Sequence, residues 1–470
     1  MSSALIDALK TALGETAVVT DADDLAPHLS EQRGRYTGTS PALVKPSNSA
    51  QVAEVVKICT AHDTPVVAHG GNTGLVGGGV PDGAVVIDFS RMNKILAVDP
   101  VNLTMEVEAG AILADVQAAA EDANAYFPLS LAAEGSCRIG GNLSTNAGGV
   151  HVVRYGNARD LVLGLEVVLA DGRIWDGLRA LRKDNTGYDL KALFLGAEGT
   201  LGLITKAVLR LYPKPKSKSV ALAGCSGFDQ ALKLFHTARG RAGDVLMACE
   251  AMSGFALSLA EKHIDGVAAP LENAHACYVL LELGSSDADA DMNGLMEAVL
   301  SDAFAAGVIE DAVIAQSGQQ AEQLWKIRES IPEAQKYEGG SIKHDVAVPV
   351  SKTPEMIDRA TQLVEELIPG VRVVAFGHLG DGNIHFNLSQ PEGSDKQEFL
   401  VRWLEINERV HDLVVSMNGS FSAEHGIGQL KVGEMARLKS GVELDLMRTL
   451  KTALDPKGRF NPGKVIPAKE

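Results

Sequence analysis

The chain has 470 residues, 46% apolar and 22% charged, so two or three domains with sizeable cores are expected. Its 43 basic and 60 acidic residues leave a net charge of −17 with no polybasic run, which argues against a nucleic-acid partner and an anionic membrane surface. No stretch approaches the roughly 20 apolar residues of a membrane span.

At the start, Leu5, Ile6, Leu9 and Leu13 fall at helical spacing, with no basic segment leading into an apolar run; no signal peptide is expected. The five cysteines (Cys59, Cys137, Cys225, Cys249, Cys277) are odd in number and scattered. They read as reduced thiols in a reducing compartment, and a cytoplasmic location is expected.

Residues 40–95 alternate strand and helix: a strand at 42–44, a helix from Ser49 to His62 with Ser49 as its cap, then strands at 65–68 and 84–89. Residues 95–210 read as β-rich, with strands at 105–109, 161–170, 172–175 and 203–212. A long loop, 127–155, crowded with Gly, Ser and Asn, interrupts them; a loop of that length in a compact domain is usually functional. Pro213 to Lys218 reads as a boundary. Beyond it, amphipathic helices are expected at 228–239, 291–306 and 319–336, and a last helical stretch at 433–455.

Three Gly-rich segments stand out. The first is His69-Gly70-Gly71-Asn72-Thr73-Gly74-Leu75 and its continuation to Gly79, directly after a strand. Glycine lets backbone N–H groups approach a pyrophosphate closely. No Gly-Lys-Ser/Thr follows, so it is not a Walker loop; a strand rather than a helix comes next, so it is a poor Rossmann match. A tight turn is the plain alternative. The second runs from Glu134 to Gly149, including Ser136, Gly140, Gly141, Asn142, Thr145, Asn146, Gly148 and Gly149. The third is Leu195 to Thr205, with Ile204 in its closing strand. Three such segments without a helix aimed at a phosphate point to a large, extended cofactor.

Downstream, Leu324 to Pro332 continues a helical pattern that Pro332 should end or kink. Arg328 then lies near a helix C-terminus, where a solvated charge is the plain reading. Ser341 to Pro349 reads as a strand with Lys343 and Asp345 on one face, so an ion pair between them competes with a substrate role for Lys343. In Phe376 to Asn387, Asp381-Gly382 is a two-residue hairpin signal. If those two residues form the turn, His378 stands directly opposite His385, with Cβ atoms about 4.5–5.5 Å apart. That separation suits two imidazoles on one metal, and Asn387 shares the face of His385. Ser422 to Gly428 adds Glu424 and His425. Two His and a Glu make a three-ligand site with an open position; a plain turn with satisfied histidines is the alternative.

The three Gly-rich segments together resemble the flavin domain of the FAD-linked oxidoreductases related to vanillyl-alcohol oxidase and p-cresol methylhydroxylase. With the Ala423-Glu424-His425-Gly426 and Asn461-Pro462-Gly463-Lys464 motifs, the resemblance extends to the metal-dependent D-2-hydroxy acid dehydrogenase branch, with the 2-hydroxyglutarate enzymes nearest in pattern. It implies an α+β flavoprotein: a two-lobed FAD-binding domain of the p-cresol methylhydroxylase type at 1–215, an α+β substrate (cap) domain at 216–425 carrying the metal site, and a C-terminal helical segment at 426–470 returning to the flavin. By motif, FAD contacts fall to Gly70, Gly71, Asn72, Thr73, Gly74, Leu75, Ser136, Gly140, Gly141, Asn142, Thr145, Asn146, Gly148, Gly149, Ile204 and Asn461. Asn72 and Thr73 stand where some relatives carry a flavin-linked His, so the FAD is expected to be non-covalent. The resemblance assigns His378, His385 and Glu424 to Zn2+ or another divalent transition metal, His425 to the base, and Arg328, Lys343 and Asn387 to the substrate.

The implied substrate is a D-2-hydroxy acid, first choice D-2-hydroxyglutarate, with D-lactate or D-malate as alternatives. The 2-hydroxyglutarate enzymes carry a hydroxyl residue where this chain has Pro332. A zinc hydrolase is the reading from a different class. Implied partners are an electron acceptor, electron-transfer flavoprotein or a quinone; a homodimer is compatible with the pattern.

Overall fold

The computed structural model describes residues 3–468. The chain divides into two compact units. One holds the residues up to 148, 156–214 and those from 424 onward; the other holds 149–155 and 215–423.

The first unit contains two principal sheets. Val18–Val19, Leu43–Val44, Val85–Asp88 and Val66–His69 lie in that order, parallel except for the Val18–Val19 edge. Helix Ser3–Leu13 buries Leu5 and Leu9, and helix Ser49–Ala61 buries Val52, Val55, Val56 and Cys59, in one core with Val85 and Ile87. Asn48, not Ser49, caps the latter helix: its side chain accepts from the Gln51 N–H at 3.0 Å. Ser49 is buried, and its hydroxyl bonds to Glu166.

The second sheet is antiparallel, in the order Ile95–Asp99, Thr104–Glu108, Leu203–Arg210, Val162–Val168, Ile174–Gly177. The long Gly-rich loop is not wholly irregular; it contains a short helix, Ile139–Ser144. The C-terminal part of this unit carries helices Val432–Leu438 and Gly441–Leu454, the latter opened by a Ser440/Glu443 capping box.

The second unit is built on a seven-stranded antiparallel sheet. Its order is Asp311–Ile314, Ser217–Cys225, Cys277–Ser285, Leu246–Ser253, Arg372–His378, Asn383–Ser389, Ser341–Ala347. Both faces are covered, and period-two alternation sorts the side chains between the two faces. Ala221, Ala223, Val279 and Leu281 pack towards helices Phe228–Ala242 and Met292–Ala305. Val220, Leu222, Tyr278 and Leu280 pack towards helices Gly254–His263 and Gly318–Ala334.

Helix Gly318–Ala334 continues past Pro332 rather than ending there. Arg328 is therefore interior to the helix and 6% exposed, not a solvated charge at its end. Pro332 removes one helical N–H donor, but Leu324, Ile327, Ile331 and Ala334 anchor the helix across that position by burial.

Candidate active site

In the first unit, one cavity gathers the three Gly-rich segments. From the first segment Gly70, Gly71, Asn72, Thr73, Gly74 and Leu75 line it. Gly140, Gly141, Asn142, Thr145 and Gly148 come from the second, Ile204 from the third and Asn461 from the tail. Of the sixteen flavin contacts implied by motif, Ser136, Asn146 and Gly149 are not on its wall. The Ser136 hydroxyl donates to the Ala133 carbonyl, Asn146 accepts from the Arg159 N–H, and Gly149 groups with the second unit. Glu424 and His425 do line the cavity, with His425 Nε2 4.0 Å from Glu424 Oε1.

The wall is built for close backbone approach. A Cβ on Gly71 would sit 2.1 Å from the Ser136 carbonyl oxygen, and one on Gly140 2.8 Å from the Ala109 Cβ. At Gly74 and Gly141 no atom lies within 4 Å of that position, so the missing side chains leave ligand space. Three buried polar atoms on this wall have no protein partner: Arg138 Nε and one atom each of His69 and Asn461. His69 engages the Gly79 carbonyl through Nε2 at 2.6 Å, and its Nδ1 is left over; burial pushes its pKa down, favouring the neutral ring. Asn461 donates from Nδ2 to the Gly78 and Glu198 carbonyls at 2.9 and 2.8 Å, and its Oδ1 is left over. An elongated ligand rich in hydrogen-bonding groups fits these leftovers, as FAD would.

In the second unit, the polar candidates form rows across four neighbouring strands, on the sheet face covered by helix Gly318–Ala334. The hairpin differs from its expected form. Its loop is Leu379 to Gly382, four residues rather than two, so His378 pairs with Asn383 and His385 with Phe376. The two histidines are diagonal rather than opposite, yet both stay on one face, with ring centroids 5.6 Å apart. Asp345, opposite His385 on the edge strand, brings Oδ1 within 3.9 Å of His385 Nδ1 and accepts from Asn383 Nδ2 at 3.0 Å. Lys343 is opposite Asn387, which donates to Gln335 at 3.1 Å.

Glu250 joins this group, though nothing in the spacing of motifs singled it out. It is fully enclosed and directly opposite His378. One oxygen meets His378 Nδ1 at 2.6 Å; the other accepts from Arg328 Nε at 2.7 Å. Burial by itself would raise this carboxyl, but the charges of His378 and Arg328 and their hydrogen bonds hold it down at about 2. A carboxylate behind Nδ1 orients the imidazole and directs Nε2 outward, the arrangement seen behind metal-ligating histidines. Arg328 lies over the Phe376 ring at 4.7 Å. With Nε taken by Glu250, its terminal nitrogens are the part left to grip a carboxylate. The available signal for Glu250 was a lone acid inside the apolar run Leu246 to Ser253.

The FAD binding domain family matches residues 40–177, and the family described as FAD linked oxidases, C-terminal domain, matches residues 214–465. A probable D-2-hydroxyglutarate dehydrogenase, mitochondrial, from Oryza sativa subsp. indica is 40% identical over 460 residues, 97% of this chain and 81% of that protein. The D-2-hydroxyglutarate dehydrogenase of Stutzerimonas stutzeri is 37% identical, covering 99% of each chain. The structure of p-cresol methylhydroxylase superposes with a TM-score of 0.78 at 18% identity, over 98% of this chain and 96% of that one. The cytoplasmic expectation is overturned: the plant and animal relatives are named mitochondrial, and the bacterial one carries no compartment in its name. Buried thiols, all five here, reflect packing and do not identify a compartment. Among the described residues, no helix is long and apolar enough to cross a membrane.

Proposed function

The chain belongs to the FAD-linked oxidases, and from that premise we propose that it oxidises a D-2-hydroxy acid, D-2-hydroxyglutarate first, to the 2-oxo acid. The observation that carries the substrate class is the presence of two cations at one sheet face, Lys343 on its edge strand and buried Arg328 on the helix that covers it, in a chain that is otherwise strongly acidic. Bound FAD supplies the acceptor for the hydride leaving C2, and it is held without a covalent link. A divalent metal, zinc by its N/O donor preference, would supply a Lewis acid at the 2-hydroxyl oxygen. His378 and His385 would hold that metal, with Glu250 fixing the His378 ring.

His425, on the wall of the flavin cavity, takes the hydroxyl proton on its imidazole. Arg328 binds a substrate carboxylate through its two terminal nitrogens, and Lys343 adds a point charge. Asn387, placed by its bond to Gln335, donates to the same substrate. Reduced FAD would need a separate electron acceptor, for which electron-transfer flavoprotein or a quinone is the expectation. A yeast relative, 35% identical, is named a D-2-hydroxyglutarate–pyruvate transhydrogenase, so a 2-oxo acid is a further acceptor class to assay. D-Lactate is the second substrate reading, favoured by Pro332: a proline offers no hydroxyl on the helix turn after Arg328.

The test is competition between substrates. D-2-hydroxyglutarate or D-malate should exceed D-lactate in kcat/KM by at least about 10²-fold, because a site built to hold a second carboxylate rejects an analogue that lacks it. Lys343→Met should erase much of that preference while sparing D-lactate turnover. Preference of the unaltered protein for D-lactate would reject the dicarboxylate reading. Metal content by elemental analysis should fall in His385→Ala; whether it also falls in Glu424→Gln decides whether that carboxylate is a ligand.

A further inference from the structure

We propose that Glu198 is a positioning residue for His425, acting through the turn that follows it; this rests on the reading of His425 as the base. Glu198 is buried on the wall of the flavin cavity, in the third Gly-rich segment, with a positive φ of 51°. Its side chain crosses 229 residues of sequence to reach the turn after His425. Oε1 accepts from the Ile427 N–H at 2.7 Å and Oε2 from the Gly428 N–H at 2.8 Å. Both carboxylate oxygens are thereby committed to backbone donors.

The turn cannot sit elsewhere. Gly426 has φ +80°, and a Cβ there would lie 2.8 Å from Glu198 Oε1. Gly428 has φ +51°, and a Cβ there would lie 2.2 Å from the Val76 carbonyl oxygen. That carbonyl accepts from the N–H groups of Gln429 and Leu430, both at 3.1 Å. The turn is thus gripped between the Glu198 carboxylate and the backbone of the first Gly-rich loop. The Glu198 backbone is fixed in turn by Asn461, which donates to its carbonyl at 2.8 Å. His425 is the residue immediately before this turn and faces the same cavity.

A carboxylate is required because two N–H donors converge on one side chain. Glutamine offers one acceptor oxygen and would turn its NH2 against the other N–H. The turn would then shift, and a displacement of about 1 Å in a proton-transfer geometry can cost about 10²-fold in rate.

The experiment is anaerobic flavin reduction by D-2-hydroxyglutarate in the FAD-loaded protein, comparing Glu198→Gln, His425→Asn and the double variant. Glu198→Gln is expected to keep its flavin spectrum and substrate affinity while reduction slows about 10–10²-fold. The double variant should be no slower than His425→Asn alone, since a base that is absent cannot be misplaced. Reduction by Glu198→Gln at the wild-type rate, or multiplication of the two effects in the double variant, would overturn the proposal. If Glu198→Gln fails to retain FAD, Glu198→Asp is read instead: it keeps the charge but is too short to reach both N–H groups. Slow reduction with FAD bound in Glu198→Asp supports positioning; loss of FAD there too assigns Glu198 to the cofactor and overturns it. Normal reduction by His425→Asn sinks the base assignment itself, an outcome separate from all of these.

Discussion

Replacing Glu250 by glutamine removes one charge from the interior of the second unit and hardly changes its shape. Glu250 is enclosed, 2.6 Å from His378 and 2.7 Å from Arg328, and it is an anion at neutral pH. The Glu250→Gln substitution would leave the buried Arg328 guanidinium facing a neutral amide. Breaking a buried ion pair from one side costs about 3–5 kcal/mol. For a cooperative unit of about 150–250 residues, 1 kcal/mol shifts the unfolding midpoint by about 2–4 °C. The expected fall is therefore about 6–20 °C, read by scanning calorimetry. Adding Arg328→Met removes the stranded cation, so the double variant should be less destabilised than the sum of the singles by at least about 1 kcal/mol. A midpoint unchanged within about 2 °C, or strictly additive singles, refutes the reasoning.

Four further outcomes are expected. Acid precipitation of the yellow protein should release FAD into the supernatant; colour retained in the pellet would show a covalent link and contradict the reading of Asn72 and Thr73. Gly71→Ala, whose Cβ would press on the Ser136 carbonyl, should weaken FAD binding by about 5- to 150-fold, since overpacking costs about 1–3 kcal/mol. Gly74→Ala, with open space at that position, should leave the unfolding midpoint unchanged. Hydrogen bonds from Lys262, His263 and Arg372 hold the Glu338 carboxyl down at about 2 against an unfolded value of about 4.3. A depressed acid stabilises above its unfolded pKa and loses that contribution as pH falls through the folded one. The midpoint gap between wild type and Glu338→Gln should hold from about pH 7 to 5 and close towards about pH 2; a gap that persists there contradicts the assignment.

Local signals carried far in this chain. The glycines of the cavity wall were legible because their role is local: backbone approach at Gly71 needs no side chain, and sequence shows that directly. The histidine pair was legible through period two alone. Its register was not, because Leu379-Gly380 join the turn and slip the pairing by two positions, which preserves the face. Pro332 misled because propensity is local, whereas Leu324, Ile327 and Ile331 hold the helix from the sheet side. Ser49 looked like a cap, but Asn48 precedes it and Glu166, far along the chain, claims the hydroxyl. Glu250 and Glu198 were hidden for the same reason. Their partners are 78, 128, 229 and 230 residues away, and only the tertiary fold brings them together.

The central claim is that this flavoprotein takes hydride from the D-carbon of a 2-hydroxy dicarboxylate. Anaerobic mixing of the FAD-loaded protein with D-2-hydroxyglutarate, its L-enantiomer and D-lactate, followed by flavin absorbance, tests it most directly. Rapid bleaching by D-2-hydroxyglutarate, at least about 10²-fold faster than by either of the others at equal subsaturating concentration, is the predicted result. Bleaching by L-2-hydroxyglutarate or D-lactate alone, or by none of the three, would contradict it.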